Sequence, residues 1–433
     1  MNTSKFEPYK VEHLFLLVGE NPLPNYVAAK LLLHQGGTAY LVHTTDTFDE
    51  AKRLKTSFDN EPENKFSVKF LPLNQYESDA YYIQKEINAK LKTINNGKIG
   101  LNYTGGTKAM SAHSYRTLFY EEIQDTQNTT HKIYRRRNGI IFSYLDARKL
   151  EICIDKEDNE RERLKVTPDT LELKLETLFQ LHGLRLQKRP TKETQLLELA
   201  EELVKVFADK AKEKQWFDWY EKIFCEQARK KNKNRDWKSP TELSKLLLPL
   251  DQLPLAIIEV FGEVQLLTSK NQLALAQVTN LNIFSKIEKF CEWLDGIWLE
   301  HYTLQQVKNI ANSQSLKDYG FDFEGIPNQS KDKFQFDVAF TRGYQLFAIS
   351  CTTARKKDIC KGKLFEAYLR ARQMGGDEAR VALICCSDEP DTLKSEIANT
   401  LSSKKIAVFG RADLLDLSSK IVNWISENDK EAK

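Results

Sequence analysis

The sequence predicts an α/β protein in three consecutive parts: a Rossmann-like N-terminal domain, a mainly helical connecting region and a second α/β domain. Three observations predict it. From His13 to about Leu150, short apolar runs alternate with helical patterns, the signature of a parallel sheet wrapped by helices. Residues 156–290 are charge-rich and helical in period. After 291, strand-like alternation returns in "FQFDVAFTRGYQLFAISCTT". The corresponding divisions are 1–155, 156–290 and 291–433.

Taken in order, "HLFLLVG", "TAYLVHT" and "VKFLPL" read as strands, and "NYVAAKLLLHQ", "DEAKRLKTSF" and "DAYYIQKEINAKLKTI" as helices. The segment "GLNYTGGTK" closes this series as a strand, a glycine turn and a helix start, with Thr107 in the capping position. Unpaired backbone N–H groups at a helix N-terminus, close approach allowed by glycine and the charge of Lys108 together make an anion cradle. It is not a nucleotide P-loop, because Gly106 stands where the P-loop lysine belongs and the order is Gly-Gly-Thr-Lys. The dinucleotide fingerprint Gly-x-Gly-x-x-Gly is also missing after the first strand. The segment "VGENPLPNY" ends that strand, so Gly19–Asn25 and Thr104–Lys108 are expected to face one crevice. "NGIIFSYL" and "KLEICID" read as a closing hairpin.

In the connecting region, "ELAEELVKVFADKAKEKQWFDWYEKIF" is the clearest helical stretch, and its Trp216, Trp219 and Tyr220 read as core. The basic run holding Arg229, Lys230, Lys231, Lys233, Arg235 and Lys238 around Trp237 reads as a solvated loop rather than a phosphate-tracking groove. In the last part, a helix at "CEWLDGIWLEHYTLQQVKNI" precedes a hairpin turning at Arg342-Gly343. A helix at "KGKLFEAYLRARQMGG" and strands "RVALICC" and "KIAVFGRADLLDL" follow.

The totals narrow the function. The 433 residues are 41% hydrophobic and 29% charged, and 64 basic residues against 61 acidic leave a formal net charge of +3, so nucleic-acid contact must rely on local patches. No apolar run is long enough to cross a bilayer and no signal pattern opens the chain, so a cytoplasmic location without membrane partners is expected. The seven cysteines include no Cys-x-x-Cys pair and read as buried apolar residues, not as disulfides or a zinc site.

Asp337 interrupts one hairpin strand and Ser350 follows thirteen positions later in its partner. A carboxylate at that place, with Glu300 on the preceding helix and Glu366 on the following one, offers hard oxygen ligands to Mg2+ or Mn2+. Spacing alone does not show that they converge.

The stretches "NPLPNY" and "NYTGGTKAMS" resemble the ligand loops of CRISPR-associated Rossmann-fold (CARF) sensors. "GIWLEHY", "FDVAFTRGYQLFAISCTT" and "KLFEAYLRARQMGG" resemble the restriction-endonuclease-like domain fused to such sensors in type III CRISPR ancillary nucleases. The resemblance covers about two thirds of the chain, at both ends. It implies a homodimer activated by a cyclic oligoadenylate, usually cyclic tetra-adenylate, that cleaves DNA or RNA with a divalent metal. It places ligand binding at Gly19, Asn21, Pro22, Asn25, Thr104, Gly105, Gly106, Thr107, Lys108 and Met110. The usual Glu-x-Lys of the second hairpin strand is replaced by Ser350 and Thr352. Either the nuclease has decayed into a nucleic-acid-binding module, or its groups have migrated. Migration is the preferred reading, since it leaves Asp337, Glu366, the Cys351 backbone carbonyl and Glu300 as metal ligands. Lys363, three residues before Glu366 and on the same helix face, would then position water or neutralise the phosphorane.

Overall fold

The structure is a computed structural model that describes residues 4–61, 65–124, 132–156, 161–232, 234–327, 334–401 and 405–432. The N-terminal part runs β1 (Val11–Leu17), α1 (Leu23–Leu32), β2 (Leu33–Thr44), α2 (Phe48–Asp59), β3 (Ser67–Asn74), α3 (Ala80–Leu91), β4 (Ile99–Asn102) and α4 (Lys108–Phe119). A small hairpin follows, β5 (Tyr120–Gln124) and β6 (Lys132–Arg136), then β7 (Ile141–Asp146), β8 (Glu151–Asp155) and β9 (Arg161–Lys165). One seven-stranded sheet results, in the order β3-β2-β1-β4-β7-β8-β9, parallel up to β7 and antiparallel beyond it. The chain goes from β1 to β2 on one side and later to β4 on the other. The carboxyl ends of β1 and β4 therefore flank a topological switch point, where open α/β sheets bind ligands.

The C-terminal sheet has six strands: β10 (Leu184–Lys188), which follows α5 (Leu175–Leu181), β13 (Asp318–Pro327), β14 (Phe334–Arg342), β15 (Gln345–Cys351), β16 (Arg380–Ile384) and β17 (Ile406–Phe409), paired in that order. The strands up to β15 pair antiparallel, and β15, β16 and β17 are parallel. Arg342 pairs with Gln345, so the hairpin turns at Gly343-Tyr344, one residue later than the sequence suggests; Gly343 supplies the left-handed φ of +61°. The short pair β11 (Leu247–Pro249) and β12 (Gln272–Ala274) lies among the helices of the connecting region. Strand β9 belongs to the first sheet and β10 to the second, although both lie within 156–290.

The helical stretch expected at 198–224 is divided. It forms α6 (Leu197–Ala208) and α7 (Lys210–Trp219) because the extended Asp209 accepts from the Ala211 and Lys212 N–H groups, restarting the helix as an N-cap. Trp216, Trp219 and Tyr220 are buried. In the basic run, Arg229 stacks 3.6 Å from the Trp237 ring and pairs with Asp295, and Arg235 pairs with Glu221, while Lys233 lies outside the described residues. All seven cysteines are buried thiols. No helix among the described residues is long and apolar enough to cross a membrane.

The core ties the two sheets together. One contiguous buried cluster runs from Leu16 and Leu41 of the first sheet through Leu175 and Phe179 of α5 to Leu346 and Leu364 in the C-terminal part. Fully burying an aliphatic or aromatic side chain contributes about 1.5–3 kcal/mol, so this shared core couples the halves tightly.

Candidate functional site

Two sites emerge, one in each α/β half. At the switch point, backbone packs on backbone. A Cβ at Gly105 would overlap the Leu17 carbonyl oxygen, and one at Gly19 would lie 2.9 Å from the Gly106 nitrogen. Gly106 has φ +73°. Glycine is thus required at all three positions, and the β1 and β4 loops meet as the sequence suggests.

The polar side chains of these loops hold the loops themselves. The Thr107 hydroxyl caps α4, accepting from the Met110 N–H (3.1 Å) and donating to the Glu77 carbonyl (2.9 Å). Thr104 donates to Asn102 Oδ1 (2.8 Å) and accepts from the Leu145 N–H (2.7 Å). Asn25, fully buried, donates to the Leu17 carbonyl (2.8 Å). Pro22 precedes α1 and is buried, and Met110 packs under Gly106. Lys108 is exposed. Asn102, buried behind the loop and donating to Ser143 (3.1 Å), organises this network; the sequence reading missed it because an asparagine ending an apolar strand carries no motif.

Above the loops opens a cleft of about 1190 Å3. Gly19, Asn21 and Thr104–Gly106 line one side, and Arg148 of the β7–β8 turn reaches in beside them. Pro22, Asn25, Thr107, Lys108 and Met110 do not line it. A neighbouring slot of about 420 Å3 is walled by Tyr103, Tyr115 and Tyr144, with Ser111 and Asp155; the Tyr103 hydroxyl donates to Asp155 (2.8 Å).

The second site is a cavity of about 110 Å3 bounded by Phe336, Asp337, Ser350, Lys363, Glu366, Ala367 and Arg370. Asp337 Oδ2 accepts from the Ser350 hydroxyl (3.0 Å) and the Cys351 N–H (2.6 Å). Burial pushes the Asp337 carboxyl above its usual range, against the lowering effect of those two hydrogen bonds and of Lys363. Glu300, on the helix Trp298–Ile310, is pushed up well above the carboxylate range by desolvation first and then by the negative charges of Asp337 and Asp322. Glu366 pairs with Arg370 at 2.5 Å. Lys357 and Lys361, on the same helix as Lys363, pair with Glu396. The structure therefore brings Asp337, Ser350, Lys363 and Glu366 to one cavity, and Glu300 to its electrostatic neighbourhood. Asp322 and Arg370 were not anticipated.

Among the described residues, no three carboxylate, thiol or imidazole side chains converge on one metal-sized point. The donor chemistry still suits a hard divalent ion. Asp337 and Glu300 are desolvated carboxylates that repel each other, a repulsion that a cation would relieve.

No family model and no curated protein matches the chain. Solved structures do. Protein VC1899 from Vibrio cholerae matches with a TM-score of 0.67 at 14% identity, over 96% of this chain and 98% of that one. Can2 from Sulfobacillus thermosulfidooxidans, solved in complex with cyclic tetra-adenylate, matches with a TM-score of 0.63 at 15% identity, over 98% and 99%. The chain has the fold of these two proteins. Likeness at this identity describes the backbone from end to end. Within that fold, the glycine loops lie at the switch point of the seven-stranded sheet and the Asp337 cavity lies on the six-stranded one.

Proposed function

We infer that this chain is a cyclic-oligoadenylate-activated, metal-dependent nuclease of type III CRISPR defence, acting on DNA or RNA phosphodiesters as a homodimer. The observation that carries the reading is the presence, in one chain, of a glycine-walled cleft at the sensor switch point and a desolvated carboxylate cavity on the second sheet. The cleft suits a cyclic tetra-adenylate: glycine amides face anionic groups, the tyrosine slot suits a base, and two copies about a two-fold axis match a ring of four phosphates.

In the nuclease half, Asp337 and Glu300 would hold Mg2+ or Mn2+, joined by the Cys351 carbonyl and by Glu366 once it leaves Arg370. A bound ion of this kind supplies an activated water and neutralises charge on the phosphorane. Ser350 keeps the Asp337 carboxylate oriented by donating to it. Lys363, at the cavity wall, offers a cation to the scissile phosphate. Arg370, held by Glu366 at rest, becomes a second one when that pair opens.

The test is cleavage of plasmid and single-stranded substrates by the purified chain, with and without cyclic tetra-adenylate and manganese. Cleavage requiring both supports the reading. Ligand binding without cleavage under any metal supports the alternative, a ligand-responsive nucleic-acid-binding protein with an inactive nuclease fold, in which Ser350 and Thr352 mark the lost groups.

A further inference from the structure

The helix Lys357–Gly375 meets the Asp337 cavity with one face and the core with another. Lys363, Glu366 and Arg370 line the cavity, while Leu364 and Ala371 are buried. Its outer face is apolar where a solvated helix face is ordinarily polar: Ile359, Phe365 and Leu369 are 49%, 42% and 47% exposed. Among the described residues, no other helix exposes more than one large apolar side chain. Single exposed apolar residues need no explanation, whereas three on one helix face mark a surface that something covers.

Spacing ties this face to the cavity. Ile359 lies four residues before Lys363, and Leu369 three after Glu366, so each is the surface neighbour of a group that lines the cavity. Phe365 lies four residues before Leu369 and extends the face outward. Between Ile359 and Phe365, Gly362 leaves a dip: a Cβ there would meet nothing within 4 Å, so packing does not call for glycine.

Charge decides what can lie on the face. Six lysines and arginines stand between positions 356 and 372, against two acids, Asp358 and Glu366. Glu396 pairs with Lys357 and Lys361, and the strip still carries an excess of cations. A second copy packing the same face about a two-fold axis would set these cations against their own kind. A nucleic-acid strand meets no such repulsion. It offers phosphates to the cations, and the flat faces of its bases to the Phe365 ring and the aliphatic side chains beside it. Those base faces are open only where the bases are unpaired and unstacked.

We propose that Ile359, Phe365 and Leu369 form a substrate platform on which unpaired bases stack, leading the strand past Lys363 to the Asp337 cavity. This rests on the nuclease reading above and adds the form of the substrate, a strand with open bases. The phosphate is held at the cavity wall, and the bases are held on the outer face of the same helix.

The test is fluorescence anisotropy of a labelled single-stranded oligonucleotide, as DNA and as RNA, and of the matching duplexes. Each is titrated with the full chain in the presence of cyclic tetra-adenylate and EDTA, so that binding is read without metal-dependent cleavage. Phe365→Ala should weaken single-strand binding at least about fivefold, and Phe365→Trp, which keeps a ring, should retain it. Duplex binding should change less than about twofold in either variant, and melting temperature should not move, because the side chain is exposed. The slope of log affinity against log salt should be unchanged in Phe365→Ala, since no ion pair is lost. Unchanged single-strand affinity in Phe365→Ala combined with Leu369→Ser, while the unmodified chain still binds and cleaves, would overturn the platform and leave the nuclease reading standing. An equal loss on duplex would overturn the assignment to unpaired bases. A drop in oligomeric state in the double variant, read by light scattering, would give the face to a second copy and overturn the proposal. No binding of any oligonucleotide by the unmodified chain would overturn both readings.

Discussion

The two sites solve opposite problems with opposite materials. At the switch point, Thr104, Thr107 and Asn25 are engaged with the protein itself, and three glycines bring backbone to the cleft beside Asn21 and Arg148. Around the Asp337 cavity the backbone is occupied by the sheet and the groups on offer are side chains; burial raises the Asp337 and Glu300 carboxyls, with the charge of Asp337 adding to the rise at Glu300. The first site is shaped by backbone packing, whereas the second holds unfavourable charge that a cation or a proton relieves. A preformed cradle suits recognition, and an electrostatically strained pocket suits chemistry that must wait for a signal.

The sharpest way to break this comparison is to neutralise the stored charge. Asp337→Asn keeps the shape and the acceptor for the Cys351 N–H but removes the carboxylate. Cleavage should fall by at least about 10²–10³, with cyclic tetra-adenylate affinity unchanged. Glu366→Ala should do nearly the same damage if the helix supplies a metal ligand. A normal rate for Glu366→Ala beside an inactive Asp337→Asn would return the search for the second ligand to Glu300.

The switch-point cleft is attacked through its backbone. Gly105→Ala drives a methyl into the Leu17 carbonyl, so stability should drop by roughly 1–3 kcal/mol in a denaturant titration and ligand affinity should fall with it. Retained affinity would show that the loop does not need this close packing.

A third experiment sharpens the contrast through pH. Glu300 has its folded-state pKa raised, so its favourable contribution is fully present below the unfolded value of about 4.3 and is lost as pH rises through the raised folded value. Without metal, Glu300→Gln should therefore raise the melting temperature at pH 8 more than at pH 4, and added Mn2+ should stabilise the unmodified chain more at pH 8. Equal shifts at both pH values would mean that Glu300 is not the strained group.

The smallest effect is expected at Lys108. It is exposed and does not line the cleft, so Lys108→Ala should weaken ligand binding only about two- to fivefold, and less at high salt. A loss well beyond that would place Lys108 on the ligand after all.

The sequence by itself determined the alternation of strands and helices in the first 150 residues, the helix cap at Thr107, the meeting of the two glycine-bearing loops and the hairpin holding Asp337. All of these follow from local periodicity, turn chemistry and the rule that ligands sit at switch points of α/β sheets. Only the tertiary structure decided which polar groups remain available. Thr104 and Asn25, expected as ligand contacts, bond Asn102, Leu145 and Leu17, with Thr104 still lining the cleft. Glu366 looked like an open carboxylate and is paired with Arg370. Tyr344, an unremarked turn residue, is buried at the wall of the cleft that the C-terminal sheet shares with the N-terminal one. The physical reason is range: caps and periodicities are set within a few residues of chain, whereas the partner of a polar atom is chosen among side chains hundreds of positions apart, and folding alone brings those together.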